Sequence, residues 1–198
     1  MTLPTYNKNN RRQERVQLPK GAYVIEILGC RITKTKAGND QLTMPFDIKE
    51  GEYSGYYRSQ FDRNVNEDKK WPNNGVFRLT VPYPGCPDYI VLSWDSFFAD
   101  LEDSNGGYVF DGNIKALKGK IIGAKMHIED SEWQGTIYPN VRMKWSCTAD
   151  AVRQGKPGKM PRDKRIVRKD ESGETASAIN YAGFQSVDND NNEELPFD

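Results

Sequence analysis

The side chains that could take part in chemistry are few and scattered along this chain. His127 is the only histidine, and the three cysteines, Cys30, Cys86 and Cys147, lie far apart without a Cys-x-x-Cys spacing. The sequence contains no glycine-rich phosphate-binding loop, no nucleophile elbow and no zinc-protease signature. We therefore predict a protein that is not an enzyme, uses no metal or cofactor and keeps its cysteines reduced.

Carboxylates are the one kind of potential catalytic group present in excess. Clusters such as Asp100, Glu102 and Asp103 could hold magnesium for nuclease chemistry, but with 28% charged residues such clusters are expected by chance. His127 shares a predicted strand face with Glu129, and we expect this histidine to face solvent. A metal-dependent nuclease is thus an alternative without a supporting motif.

Aromatic and basic side chains are interleaved on the predicted strands and loops, which favours binding of single-stranded nucleic acid. Bases stack on aromatic rings, worth about 1 to 3 kcal/mol per base, while cations contact the phosphates. The alternation of inward and outward residues along the predicted strands assigns Trp145 to the core, together with one of the two tyrosines Tyr56 and Tyr57. The candidate binding residues are Lys34, Lys36, Tyr56, Tyr57, Arg58, Phe61, Trp71, Lys125, Trp133, Tyr138, Arg142 and Lys144.

The elements that must position these residues begin with a long strand over residues 23–33, rich in branched residues and bent at Gly29. Alternating apolar residues predict a second strand over 42–48, in which Pro45 indicates an edge or a bulge. A third strand is predicted over 56–61. The long, bent first strand suits a small barrel.

The second half of the chain predicts a helix and a hairpin. A strand over 76–81 is one interpretation of a poorly patterned region. Ser93 is a candidate cap for a helix over 94–101, which Asn105 and two glycines should end. The final two strands are 120–130 and 137–147, with Val141, Met143 and Trp145 facing inward and Tyr138, Arg142 and Lys144 outward.

This order predicts a mainly β protein, an OB-like five-stranded partly open barrel with one or two helices and a disordered C-terminal tail. We expect residues 1–17 to form a flexible arm and 18–154 the nucleic-acid-binding domain. Residues 155–169 carry a net charge of +6 and residues 170–198 a net charge of −8, against +2 for residues 1–154. The composition of 155–198 predicts disorder, with a basic linker before an acidic tip.

The last residues, Asn192-Glu-Glu-Leu-Pro-Phe-Asp198, resemble the acidic tip of bacterial single-stranded-DNA-binding proteins. That family ends in acids followed by Ile/Leu-Pro-Phe, and the tripeptide docks on replication, recombination and repair enzymes. The chain departs from the pattern at Asp198, since the family usually ends at Phe. The resemblance implies that replication or recombination proteins bind here, through Asp190, Glu193, Glu194, Leu195, Pro196 and Phe197.

Several stretches of the body are similar to phage-encoded single-stranded-DNA-binding proteins of Gram-positive hosts. They include Leu18-Pro-Lys-Gly-Ala-Tyr-Val, Trp94-Asp-Ser-Phe-Phe-Ala-Asp-Leu and Leu117-Lys-Gly-Lys. The resemblance implies a protein that coats single-stranded DNA during phage replication or recombination. The rival is a phage interaction or virion-associated module without DNA affinity.

No membrane partner is expected, because no apolar run reaches the length of about 18 residues that a membrane helix needs. The first fifteen residues also lack the apolar stretch of a signal peptide, so we expect the protein in the cytoplasm of the bacterial host. Homo-oligomers are compatible with the pattern, and no heptad repeat specifies one.

Overall fold

Six β-strands form one antiparallel, partly open sheet in residues 16–167, the part of the chain that this computed structural model describes. The sheet order is β2-β3-β1-β5-β6, and β4 pairs with β3. This mainly β architecture confirms the predicted class and is consistent with an OB-like fold. The strands are β1 (Gly21–Ile27), β2 (Arg31–Lys34), β3 (Asp40–Ile48), β4 (Val76–Thr80), β5 (Ile121–Trp133) and β6 (Thr136–Cys147).

The predicted long first strand is present as β1 and β2, which are separated at the bend that Gly29 indicated. β3 pairs with β1 through its second half and with both β2 and β4 through its first half. Pro45 is therefore in an interior strand, so of the two predicted alternatives, an edge or a bulge, the edge is wrong. It is tolerated because it lies opposite the break between β1 and β2, where its carbonyl accepts a hydrogen bond from the Leu28 amide at 2.9 Å.

The inner face of the sheet packs against the longest helix, α2 (Asp88–Ser104). This helix begins after Pro87, so Ser93 lies inside it and donates its hydroxyl to the Tyr89 carbonyl at 2.7 Å instead of capping it. The helix ends at Asn105 as predicted. The largest fully buried core side chains are Ile25, Ile27, Leu42, Met44, Phe46, Ile48, Tyr57, Phe97, Leu101, Leu117, Ile122 and Met126.

The predicted third strand is wrong, because residues 56–61 lie in a helix, α1 (Tyr56–Asp62). The helix starts after Gly55, whose φ of 73° suits glycine. The buried carboxylate of Asp47 in β3 accepts hydrogen bonds from the backbone amides of Tyr57 at 2.9 Å and Arg58 at 3.1 Å. This cap comes from another element, so local pattern does not reveal it. A third helix, the short α3 (Ala149–Arg153), follows β6.

A β-bulge changes which face of β6 presents Trp145. Lys125 pairs with Trp145 while the next residue, Met126, pairs with Met143, so Lys144 is an extra residue in β6. Because one extra residue reverses the alternation, Trp145 is 41% exposed, and its prediction as an inward residue is wrong.

The ordered chain continues past residue 154, where the tail was expected to begin. Residues 161–165, here called the strap, lie along β5 beyond the end of its pairing with β1. The Lys164 amide donates to the Ile128 carbonyl at 2.8 Å, and the Asp130 amide donates to the Lys164 carbonyl at 2.9 Å. His127 lies beneath the strap, with Nδ1 2.9 Å from the Arg162 carbonyl oxygen. The histidine is buried, so the prediction that it faces solvent is wrong.

Candidate nucleic-acid interface

Two arginines face outward across the three strands β2, β3 and β4. Thr43 in β3 pairs with Arg31 in β2 on one side and with Arg78 in β4 on the other. Directly paired residues of antiparallel strands point to the same face, which here is opposite the core face of Leu42 and Met44. Both arginines are exposed, and we call Arg31, Thr43 and Arg78 the arginine row.

The arginine row is held in place by polar contacts. The Thr43 and Thr33 hydroxyl oxygens lie 2.7 Å apart, and Arg78 donates from Nη2 to the Asn73 side chain at 2.7 Å. Sequence analysis did not select either arginine. Alternation in β3 could have placed Thr43 on the outer face, but the pairing that brings both arginines beside it depends on the register of three strands.

Lys34 and Lys36 lie at the edge of this face, where β2 leads into the turn before β3. Both are exposed, as a phosphate contact requires. Lys34 forms an ion pair with Asp40, 2.7 Å from Nζ to Oδ1, which offsets part of its charge. Lys36 is therefore the more available cation of the two.

A cluster of rings and cations joins α1 to the loop that follows it. The Trp71 ring lies 5.6 Å from the Phe61 ring and 5.2 Å from the Arg58 guanidinium, and Lys69 lies 4.8 Å from the Phe61 ring. Trp71 is fixed by a hydrogen bond from Nε1 to the Gly75 carbonyl at 3.0 Å. The structure thus brings Arg58, Phe61 and Trp71 together, but they contact one another and leave less ring surface for a base.

The two neighbouring tyrosines of α1 have mainly structural contacts. Tyr57 is buried with its ring edge-on to Phe46 at 5.4 Å, and burial raises the pKa of its hydroxyl. Tyr56 is half-buried, and its hydroxyl accepts a hydrogen bond from the Leu18 amide at 3.2 Å. Tyr57 is therefore the member of the pair that belongs to the core, and we remove it from the candidate interface.

The far end of the β5–β6 hairpin exposes two aromatic rings on one face. Trp133 is 64% exposed and Tyr138 46% exposed. The register pairs Trp133 with Thr136 and Ser131 with Tyr138, which places both rings on one side of the ribbon. Arg142 lies further along the same face, with Nη1 3.6 Å from the Glu129 carboxylate.

Side-chain amides connect the arginine row to this hairpin. Asn73 binds Arg78, the next residue, Asn74, donates to the Asn140 side chain at 3.1 Å, and Asn140 donates to the Tyr138 carbonyl at 2.9 Å. A chain of hydrogen bonds therefore joins the arginine row to the hairpin, and this set of polar, basic and aromatic residues is here called the polar path. Its members are Arg31, Thr43, Asn73, Asn74, Arg78, Trp133, Tyr138 and Asn140.

The remaining predicted residues, Lys125 and Lys144, line a separate groove with Trp145, between β4, α2 and β6. The predicted partner-binding residues 190–198 lie outside the described residues, as do residues 1–15 of the predicted arm. Within residues 16–167, no three His, Cys, Asp or Glu side chains are grouped as metal ligands, and no helix has the length and apolar character needed to cross a membrane.

Ion pairs with acids offset some of the positive charge near the hairpin. Glu129 accepts a hydrogen bond from Lys164 at 2.9 Å, which lowers the pKa of the Glu129 carboxyl against the opposing effect of burial. Arg165 in the strap lies 3.1 Å from Asp130. Two cations of the basic linker are thus used to hold the strap on β5.

The described residues form a mainly β protein that carries the polar path. No known family model matches the chain, and no curated protein matches it.

Proposed function

We propose that this protein binds single-stranded DNA along the polar path and recruits replication or recombination proteins through its C-terminal tip. The observation that carries the proposal is the arginine row, in which two exposed arginines lie across three strands on either side of Thr43. A row of this kind offers two guanidinium groups to successive phosphates. Arginine suits this role because its planar donors match phosphate oxygens in pairs.

The hairpin supplies the second component of strand binding. The exposed rings of Trp133 and Tyr138 present flat surfaces on which unpaired bases can stack. A duplex keeps its bases inside the helix, so stacking on these rings favours the single strand. Phosphate contacts at one end of the path and base contacts at the other would allow binding that does not depend on the base sequence of the DNA.

A protein-interaction module without DNA affinity is the second candidate. It is favoured by the ion pairs that offset local cations, including Lys34 with Asp40 and Arg142 with Glu129. The net charge of only +2 in residues 1–154 also suits it. The two candidates differ in one measurable property, which is affinity for a single strand.

The test is a titration of the full chain with fluorescent oligo-dT and with a matched duplex at about 50 and about 200 mM salt. We expect preference for the single strand, weakened by salt. The double variant Arg31→Gln/Arg78→Gln should bind roughly tenfold or more weakly, with a salt slope smaller by about 1.4, since each single-strand phosphate contact contributes about 0.7. No binding by the wild type would overturn the proposal and favour the interaction module.

A matched control is the double variant Lys115→Gln/Lys118→Gln, which removes the same charge from exposed positions in the turn before β5. It should retain both the affinity and the salt slope. An equal loss in the two double variants would mean that only net charge matters, and would contradict a role for the arginine row.

The tip is tested separately from the DNA-binding body. Deletion of residues 193–198 should leave oligo-dT binding by the body in place and abolish binding to purified host replication or recombination proteins. Retained binding to those proteins after the deletion would contradict recruitment through the tip.

A further inference from the structure

A groove of about 340 Å³ lies between β4, α2 and β6, and the polar path does not use it. It combines exposed rings, hydroxyl groups and ammonium groups. Tyr89 is 67% exposed and Trp145 41% exposed. The polar side chains that line it are Ser93, Ser96, Ser146, Lys125 and Lys144.

The bulge in β6 creates the cationic wall of this groove. Because Lys144 is the extra residue, Trp145 pairs directly with Lys125 and has Lys144 beside it in the chain. An exposed indole ring is thereby placed next to two lysines. A regular β6 would have turned this ring toward the core.

The charge of the groove suits an anion. Within residues 16–167, its lining includes two lysines and no carboxylate. Asp100, a nearby acid of α2, accepts a hydrogen bond from the Ser146 hydroxyl; burial raises the pKa of its carboxyl, while this hydrogen bond and the charge of Lys125 act to lower it. Among the described residues, Asp100 is thus a nearby acid that offsets part of the charge of Lys125, but it does not line the groove.

The apolar residues of the groove suit rings better than aliphatic side chains. Leu79 and Phe97 line it but are themselves buried, so Leu92 is the one exposed aliphatic residue among the described residues that line it. A ligand in the groove meets the rings of Tyr89 and Trp145, together with Leu92, serine hydroxyls and the two lysines. This combination matches a nucleotide, which needs a flat surface for its base and donors for its phosphates.

We propose that this groove binds a second stretch of the same single-stranded DNA, with a base stacked on Trp145 and with Lys125 and Lys144 contacting the flanking phosphates. The inference rests on the proposed function and extends it, since a strand that occupies both surfaces must be longer than one that occupies the polar path alone. The length of bound DNA is therefore the quantity that distinguishes one surface from two.

The experiment compares two oligo-dT lengths, about 8 nucleotides, within the ~4–16 nucleotides that one OB fold covers, and about 32 nucleotides, above that range. The groove variant Lys125→Gln/Lys144→Gln should bind the short strand as the wild type does and the long strand roughly tenfold more weakly, with fewer nucleotides per protein at saturation. The matched variant Arg31→Gln/Arg78→Gln removes the same charge from the polar path and should weaken binding to both lengths.

The outcomes separate this inference from the proposed function. Absence of binding by the wild type overturns the proposed function and this inference together. Binding by the wild type, with a groove variant of unchanged affinity and unchanged length of bound DNA, overturns the groove alone. Protection of Lys125 and Lys144 from acetylation by the peptide Glu-Glu-Leu-Pro-Phe-Asp, but not by oligo-dT, would identify a protein-docking groove and overturn the inference as well.

Ultraviolet cross-linking of the unaltered full chain to the long oligo-dT keeps the test independent of whether the variants fold. Mass spectrometry should then find cross-links at Trp145 or Tyr89 in addition to the hairpin rings. Cross-links confined to Trp133 and Tyr138 would overturn the inference.

Discussion

The carboxylate of Asp47 in β3 accepts a hydrogen bond from the backbone amide of Tyr57, 2.9 Å away in α1. This contact couples an interior strand of the sheet to the helix that carries Arg58 and Phe61. The same carboxylate also binds the amides of Ile48 and Arg58. One buried acid thus fixes the start of α1 and, through it, the position of the cluster around Trp71.

Replacing Asp47 should destabilise the protein more than replacing an exposed acid. Asp47→Ala removes a helix cap worth about 0.5 to 2 kcal/mol and leaves buried amides without an acceptor, at about 1 to 3 kcal/mol. Urea unfolding should therefore show a midpoint well below that of the wild type. The control Asp68→Ala, at an exposed loop position, should change the free energy of unfolding by less than about 0.5 kcal/mol. Equal effects would contradict the capping role.

Gly75 should not tolerate a methyl group. A Cβ there would lie 2.8 Å from Cγ of Tyr57 and 2.9 Å from Nε1 of Trp71, closer than atoms can pack. Gly75→Ala should cost about 1 to 3 kcal/mol in thermal or urea unfolding. The control Gly29→Ala meets no atom within 4 Å and should be neutral or slightly stabilising. A neutral Gly75→Ala would show that the two rings are not packed as described.

Trp133 in the β5–β6 hairpin should contribute more to DNA binding than Trp71, whose ring is packed against Phe61 and Arg58. Trp133 is 64% exposed, whereas Trp71 has Phe61 and Arg58 against its ring. Trp133→Ala should weaken oligo-dT binding by about 1 to 3 kcal/mol, the value of one stacked base, and Trp71→Ala by less. Fluorescence anisotropy at constant salt measures both. The reverse order would move the base-stacking surface from the hairpin to the cluster.

The contact between Glu129 and the strap should weaken in acid. Because the Lys164 hydrogen bond lowers the pKa of Glu129 in the folded protein, the unfolded chain binds the proton more tightly, and this contribution to stability is present above the ordinary carboxyl pKa of about 4.3. It should be lost as the pH falls through the lower pKa of the folded state. The pair is partly exposed, so we expect less than about 1 kcal/mol.

Urea unfolding between about pH 3 and about pH 7 measures this effect. Wild type should exceed Glu129→Gln in stability near neutral pH, and the difference should vanish at the acid end. The control Glu67→Gln, at an exposed loop position, should follow the wild type throughout. A difference between wild type and Glu129→Gln that does not change with pH would contradict the assignment.

Short-range patterns in the sequence predicted much of the sheet. Alternation located β3 and the β5–β6 hairpin, Gly29 located the break between β1 and β2, and Asn105 located the end of α2. Each of these signals operates within one element or one turn. The alternation of apolar and polar residues along a strand, and the backbone preference of a glycine or asparagine, depend only on neighbouring residues. Both can therefore be detected without knowing what the chain contacts elsewhere.

Only the tertiary structure decided the features that depend on distant residues. Residues 56–61 form a helix because Asp47 from another element caps it, and His127 is buried because residue 162 returns to cover it. Trp145 faces the groove because one extra residue in β6 shifts the pairing with β5. The arginine row exists only through the joint register of β2, β3 and β4. The sequence by itself thus determined the β class and the types of side chain available for binding. Their grouping into two surfaces depended on hydrogen bonds and strand registers between residues far apart in the chain, which local periodicity does not encode.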